Sequence, residues 1–408
     1  LRFSKPSHGA HGGEAIAGSE RTLMKKTLVV VVMLAVVAVV LAGGAAYMVQ
    51  QNKLGELRRL AVQAEEKLDS GDFDGAIQLL KRVDSEGGSA RSAFLLGKAY
   101  YAQGKLADGI RYFERIEKLY PTAPVLPDAL VYRGRYALEV EGKPKTARET
   151  FLQIIDRHPD SDAADLALYY LAKISFDAGD TPQTKRNLEL IMKRPESPAR
   201  SDAEFLLGDI NMKQLRSPEA GPDDVLYTIK RGDSIWKLER ELKVPGDLIV
   251  GINNLRPSAL TIGTQIKVPR INITITVDKP QRTLTLKNNG VFLKKYRVGL
   301  NRADNRVPAG DYVITEKFDK GQEFTDPESG ATFKAGDPAN PLGNRFLQLR
   351  REVGIHGTND PDAVGKYVPR GCIVMTNQDI EEIYSLARKG TPVTIKGKNL
   401  VEGSPGKN

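Results

Sequence analysis

Hydrophobic and polar positions change their period three times along this chain. Residues 27–49 carry no charge over 23 positions. As a helix that stretch would rise about 35 Å, enough to cross a hydrocarbon core of about 30 Å. Residues 56–214 then repeat a helical pattern punctuated by turns. Gly71-Asp72, Gly104-Lys105, Gly142-Lys143 and Gly179-Asp180 fall 33, 38 and 37 residues apart. Five positions after these glycines stand Ala76, Gly109, Ala147 and Thr184, and nine after stand Leu80, Phe113, Phe151 and Leu188. A small residue followed four later by a large apolar one marks one helical face. The small side chain lets a neighbouring helix approach, and the large one fills the gap between layers. Tyr120-Pro121 and His158-Pro159 close helices, because proline disfavours helix in the residue before it. His158 therefore reads as a helix-end residue.

Residues 215–225 are rich in Pro, Gly and acid and read as a linker. Residues 226–270 give the order strand, helix, helix, strand. Residues 226–230 are strand-like, and Arg231-Gly232-Asp233-Ser234 turns into a helix with Ile235, Trp236, Leu238 and Leu242 at helical spacing. Trp236 is expected in the core of that amphipathic helix. A second helix covers about residues 246–253, and Gln265–Val268 closes the unit. From 271 to 399 the alternation has period two. Residues 271–277, 283–286, 291–298 and 311–315 read as strands, with Asn288-Asn289-Gly290 as a hairpin turn. Residues 380–388 read as a helix ended by Gly390, and 392–395 as a last strand. Residues 1–26 form a polar, Gly/Ser-rich tail, and 400–408 read as a disordered one. The expected fold class is multidomain: an N-terminal transmembrane helix, an all-α repeat array, a small α+β (βααβ) module and a mostly-β C-terminal domain.

Composition narrows the setting. The chain has 408 residues, a 40% hydrophobic fraction and a formal charge of +9. Those values suit a mostly aqueous body beside a polyanion such as a cell wall or a headgroup layer. No basic run is interleaved with aromatics, so nucleic acid is not an expected partner. Lys25-Lys26 before the apolar stretch favours an N-terminus in the cytoplasm and everything later outside it. The stretch is then an inner-membrane anchor, or a signal peptide whose apolar part is 28–41 and whose cleavage region is Ala42-Gly43-Gly44. Either reading places residues 50–408 in an export compartment. A single cysteine fits a bacterial envelope protein that avoids stray oxidation.

That cysteine, Cys372, cannot form an internal disulfide, and His356 lies sixteen positions before it. Of the four histidines, His8, His11, His158 and His356, only the last shares a domain with the thiol. A thiol with a proton acceptor and a glycine beside it is a candidate nucleophile. The alternative is a small buried hydrophobe. His356 can serve as base only if one ring nitrogen faces sulfur and the other is held by an acceptor, for which the Gly357 carbonyl is a candidate. Backbone N–H groups of Gly371 and Cys372 could receive the oxyanion. No metal or cofactor is called for.

Three resemblances follow from these motifs. The helical pattern resembles tetratricopeptide repeats, whose concave surface commonly binds a protein segment, so a protein partner is implied there. The run Tyr227-Thr228-Ile229-Lys230-Arg231-Gly232-Asp233-Ser234-Ile235-Trp236, with Asn253-Asn254-Leu255 and Ile262-Gly263-Thr264-Gln265-Ile266-Lys267-Val268-Pro269, resembles a LysM module. The resemblance implies binding of N-acetylglucosamine-containing glycan by two loops, which here hold Gly232, Asp233 and Ser234, and Thr261, Ile262 and Gly263. Finally, His356-Gly357-Thr358-Asn359-Asp360, Gly371-Cys372-Ile373 and Met375-Thr376-Asn377 resemble the YkuD-type L,D-transpeptidase catalytic domain. Pro308-Ala309-Gly310 and Asn340-Pro341-Leu342-Gly343 extend the likeness. It implies Cys372 as nucleophile, His356 as base, and the tetrapeptide stem of peptidoglycan as substrate. Attack at the third stem residue would expel the terminal D-alanine, and transfer to another stem's amine would give a 3→3 cross-link. The family's Ser-His before Gly-Cys is Pro369-Arg370 here, and its arginine two after the cysteine is Val374. Arg370 could still present a positive group to the oxyanion or a substrate carboxylate. These departures keep two alternatives open: the acyl-enzyme resolved by water or another amine, or a spent wall-binding scaffold.

Overall fold

The structure, a computed structural model, describes residues 13–221, 223–303, 306–326, 329–351, 353–369 and 372–399, and in the first helix side chains from Met33 on, Ala35 excepted. The tail at 400–408 lies outside these residues, as do Arg370 and Gly371. The chain divides into two compact units, residues 1–164 and 165–408.

In the first unit, helix α1 (Gly13–Asp69) is followed by α2 (Phe73–Gly87), α3 (Ala90–Ala102), α4 (Leu106–Leu119), α5 (Leu126–Glu139) and α6 (Pro144–Arg157). Among the described residues no helix is long and apolar enough to cross a membrane; of the expected span 27–49, the side chains of 27–32 lie outside the described ones. The segment belongs to one 57-residue helix that runs without a break from within the expected polar tail into charged residues. Farther along, Ala64 of α1 packs with Ile77, Leu80, Leu95, Leu96 and Ala99 in one apolar cluster. Helices approach closely where a glycine faces a ring. A Cβ on Gly97 would meet the Phe113 ring, and one on Gly134 the Phe151 ring. The turn glycines Gly71, Gly104 and Gly142 hold positive φ of 82°, 78° and 62°, which a side chain would strain.

The second unit opens with the end of the helical array: α7 (Asp162–Asp177), α8 (Thr181–Met192) and α9 (Arg200–Arg216). The small module follows as β1 (Val225–Thr228), α10 (Ile235–Leu242), α11 (Gly246–Asn253) and β2 (Gln265–Val268), with β1 and β2 antiparallel. The C-terminal domain carries β3 (Ile273–Asp278), β4 (Thr283–Asn288), β5 (Val291–Arg297), β6 (Gly299–Asn301), β7 (Gly310–Val313), β8 (Glu316–Phe318), β9 (Phe324–Thr325), β10 (Thr332–Phe333), β11 (Phe346–Arg350), β12 (Val353–His356), β13 (Tyr367–Val368), β14 (Ile373–Val374), α12 (Asn377–Leu386) and β15 (Pro392–Lys396). One sheet runs β5-β4-β3-β15-β7 and the other β13-β6-β14-β12-β11-β8. Ile275, Val277, Leu284, Leu286, Leu347, Ile355, Ile373 and Ile383 fill a shared core. Each such side chain contributes about 1.5–3 kcal/mol on burial.

These parts of the second unit are joined by polar contacts. Helix α9 lies on β5: Asn211 Nδ2 donates to Leu293 O at 3.1 Å, Lys294 Nζ sits 2.8 Å from Asp209 and 2.9 Å from Glu382 of α12, and Lys295 is 2.7 Å from Glu204. Lys267 of β2 is buried, and its ammonium donates to the carbonyls of Gln214, Leu215, Ser217 and Glu219 at 3.0–3.4 Å. It also pairs with Asp224 at 3.2 Å. Much of the segment read as a linker is thus wound around one cation.

Candidate active site

Strand pairing brings His356 and Cys372 together. β12 and β14 are parallel neighbours, with Ile355 opposite Ile373 and His356 opposite Val374. By that register Cys372, just ahead of β14, lies level with Gly354, two residues before His356 and so on the same face of the sheet. Its N–H donates to His356 Nε2 at 3.2 Å. The other ring nitrogen, Nδ1, lies 2.7 Å from Gly357 O. A carbonyl can only accept, so Nδ1 carries the proton and Nε2 presents its lone pair toward Cys372. The ring is 1% exposed and stacks on Phe346 of β11, 5.6 Å between centroids and 3° between planes. Burial pushes the imidazole down to about 4, partly offset by the Gly357 carbonyl. His356 is therefore neutral at physiological pH. Cys372 itself is only partly buried, and its carbonyl accepts from Asn301 N–H of β6 at 3.1 Å.

The backbone around the histidine is clamped from a second side. Asn377 at the start of α12 accepts the Asn344 N–H at 3.1 Å. Asn344 and Arg345 both donate to Glu381 of the same helix, at 2.8 and 2.9 Å. Gly343 packs so closely on Gly357, Thr358 and Asn377, at φ +65°, that a Cβ has no room. Asn340, fully buried, donates to Gln322 O and Lys334 O at 2.8 and 3.0 Å and anchors this loop. Asn301 and Phe346 carried no signal in the sequence, since each reaches the site through pairing of strands distant in the chain. Of the residues singled out beforehand, His356, Gly357 and Cys372 meet here, while Gly371 and Arg370 lie outside the described residues. The Cys372 N–H, expected as an oxyanion donor, is given to the imidazole instead.

In the small module the loops after β1 and before β2 are adjacent: Ile229 N–H donates to Thr264 O at 2.9 Å and Gly263 N–H to Ile229 O at 2.8 Å. Gly232 and Gly263 take positive φ of 85° and 87°. Asp233 is not a free ligand. Its enclosed carboxylate accepts the Lys230 N–H at 2.8 Å, the Tyr227 hydroxyl at 2.9 Å and the Lys237 ammonium at 3.0 Å. The Lys230 amide and Lys237 hold it down at about 2. Ser234 caps α10 through the Lys237 N–H. Thr261 and Ile262 are exposed. Trp236 departs from expectation: it is 68% exposed, with Arg240 stacked over it at 4.6 Å. Ile235, Leu238 and Leu242 make the inward stripe of α10, and Trp236 stands one residue off it.

Comparison with known proteins agrees with this architecture. Residues 272–395 match the L,D-transpeptidase catalytic domain (YkuD), residues 227–269 the LysM domain, and residues 62–124 and 128–161 tetratricopeptide repeats. The chain thus carries tetratricopeptide repeats, a LysM domain and an L,D-transpeptidase catalytic domain, in that order. Among curated relatives, the Bacillus subtilis protein named as an L,D-transpeptidase, YkuD, is 29% identical over 176 residues, 41% of this chain and 97% of its own. The Escherichia coli K12 protein named as an L,D-transpeptidase, ErfK/SrfK, is 26% identical over 152 residues, 34% of this chain and 49% of its own. Among solved structures, an L,D-transpeptidase from Mycobacterium smegmatis is 18% identical with a TM-score of 0.26, and the match covers 34% of this chain and 65% of that one.

Proposed function

We propose that the protein is a peptidoglycan L,D-transpeptidase acting outside the cytoplasm at the cell wall, with Cys372 as nucleophile and His356 as its base. The observation that carries this reading is the neutral, tautomer-fixed imidazole whose Nε2 accepts the backbone N–H of a partly exposed Cys372, which puts the ring beside that residue. The Sγ proton passes to Nε2 as sulfur bonds to the carbonyl carbon of the third stem residue. Once protonated, Nε2 can no longer accept the Cys372 N–H. That donor is then released toward the new oxyanion, beside the N–H of Gly371. Arg370 supplies positive charge to the oxyanion or a substrate carboxylate. Collapse expels D-alanine, whose amine takes the proton from Nε2. The side-chain amine of a second stem attacks the thioester, returns its proton through His356 to sulfur, and leaves a 3→3 cross-link. The LysM loops at 232–234 and 261–263 hold glycan and raise the local concentration of stems.

Incubating the protein with tetrapeptide-bearing wall and reading products by mass spectrometry tests the acceptor. Cross-linked dimers are expected, and tripeptide products alone would instead indicate transfer to water. Cys372→Ala is expected to abolish both the products and the adduct formed with a carbapenem, while wall pulldown persists. Products surviving in that variant would place the nucleophile elsewhere.

A further inference from the structure

The second unit contains a cavity of about 590 Å³ between the N-terminal end of α9 and the β4–β5 edge of the catalytic domain. Its volume falls within the range of about 300–1,000 Å³ typical of ligand sites. Arg200, Arg282, Lys295 and Arg297 line it against one carboxylate, Glu204. Glu204 is already shared, 3.2 Å from Arg200 and 2.7 Å from Lys295. Among the described residues, neither Arg282 nor Arg297 has a carboxylate within ion-pair distance. Arg282 is held by its Nε–H on Gly365 O at 2.7 Å and lies over the Tyr367 ring at 5.1 Å, which leaves its terminal nitrogens to the cavity. Arg297 lies over the Phe205 ring at 5.3 Å, a flat apolar surface with charge on it. Helix α9 begins at this cavity with no side-chain cap, so its end adds partial positive charge.

Two guanidinium groups without counter-ions, in a concave site with an aromatic wall, are arranged for oxyanions on an organic chain. We propose that this cavity is a second binding site, for an acidic peptide segment carrying at least two carboxylates. Arg282 and Arg297 each take one carboxylate, in the bidentate geometry that a guanidinium favours. Phe205 packs the intervening chain, an apolar contact that a bare inorganic anion would leave unused. The site is separate from Cys372 and does not depend on the catalytic reading.

Calorimetric titration of the full chain with the peptide acetyl-Ala-Glu-Glu-Ala tests it, beside acetyl-Ala-Gln-Gln-Ala-amide and inorganic phosphate. The acidic peptide is expected to bind, to weaken at least tenfold in Arg297→Gln, and to lose affinity as salt rises. The neutral peptide is expected to give no heat. Among the described residues the Arg297 side chain makes no hydrogen bond or ion pair and lies over the Phe205 ring, so its variant should fold, and Arg282→Gln gives a second reading at the other carboxylate. Unchanged affinity in both variants, equal binding of the neutral peptide, or no binding of the acidic peptide would overturn the proposal. So would phosphate binding as tightly as the acidic peptide, which would mark a general anion site. Because Cys372 plays no part in the titration, the outcome is independent of the wall-digestion test.

Discussion

A buried imidazole held at about 4 is still a competent base, because at neutral pH its lone pair is present in nearly every molecule. The rate of carbapenem acylation at Cys372, followed by intact mass, is therefore expected to hold as pH falls through 6.5 and to decline only near 4. An acid limb at the ordinary histidine value of about 6.5 would show that the ring is not desolvated in solution. His356→Ala is expected to slow acylation by about 10²–10⁴. In the LysM domain the same scale separates side chains open to solvent from those that hold a turn. Asp233 spends its carboxylate on the turn, whereas Trp236 and Ile262 are 68% and 63% exposed. Trp236→Ala is expected to lower wall pulldown about tenfold or more, since a well-placed aromatic contact beyond its buried area is worth about 0.5–1.5 kcal/mol before its area is counted. Its fold should be unaffected by far-ultraviolet circular dichroism. Undiminished pulldown would move sugar binding off α10.

Elements are tied together at a few charged points. Lys267 gathers two carbonyls from the last turn of α9, two from just beyond it and the Asp224 carboxylate around one ammonium. Removing it leaves the largely enclosed Asp224 carboxylate without its cation. Lys267→Ala is therefore expected to destabilise by about 3 kcal/mol in denaturant titration. It should also open residues 215–225 to limited proteolysis. A resistant segment in that variant would mean that packing, not the ammonium, holds it. The contact between α9 and α12 has the same logic. Lys294 lies between Asp209 and Glu382, and Tyr296, pushed well up by burial and then by Glu382, stays protonated to donate to that carboxylate at 2.9 Å.

At the scale of the whole molecule, the last helices of the array, the LysM domain and the two sheets of the C-terminal domain form one unit, residues 165–408. A titration buried in its core is a property of that unit's stability. His356 folds neutral with its pKa lowered to about 4, against about 6.5 when unfolded. Between those values the unfolded state binds the proton and the folded state does not. The contribution is complete above pH 6.5 and is lost as pH falls toward 4, at up to about 1.4 kcal/mol per unit. Unfolding midpoints compared between wild type and His356→Gln across pH 4–7 measure it, and the slope should be shallower in the variant.

What the chain alone determined is what local chemistry decides. Turn glycines 33 to 38 residues apart announce helix pairs, Ser234 announces a helix start, and a lone thiol sharing a domain with one histidine announces a nucleophile to examine. Long alternations such as 271–277 and 283–286 were legible because side-chain direction repeats every second residue. The two- and three-residue strands β6, β13 and β14 were not, since so few residues carry no period. Yet these strands frame Cys372, bring Asn301 to its carbonyl and place it beside β12. Phe346 meets the imidazole, Lys267 gathers its carbonyls and Trp236 turns outward for one reason. Contacts between residues far apart in sequence are selected by the free energy of the folded core as a whole, and no stretch of sequence contains that quantity.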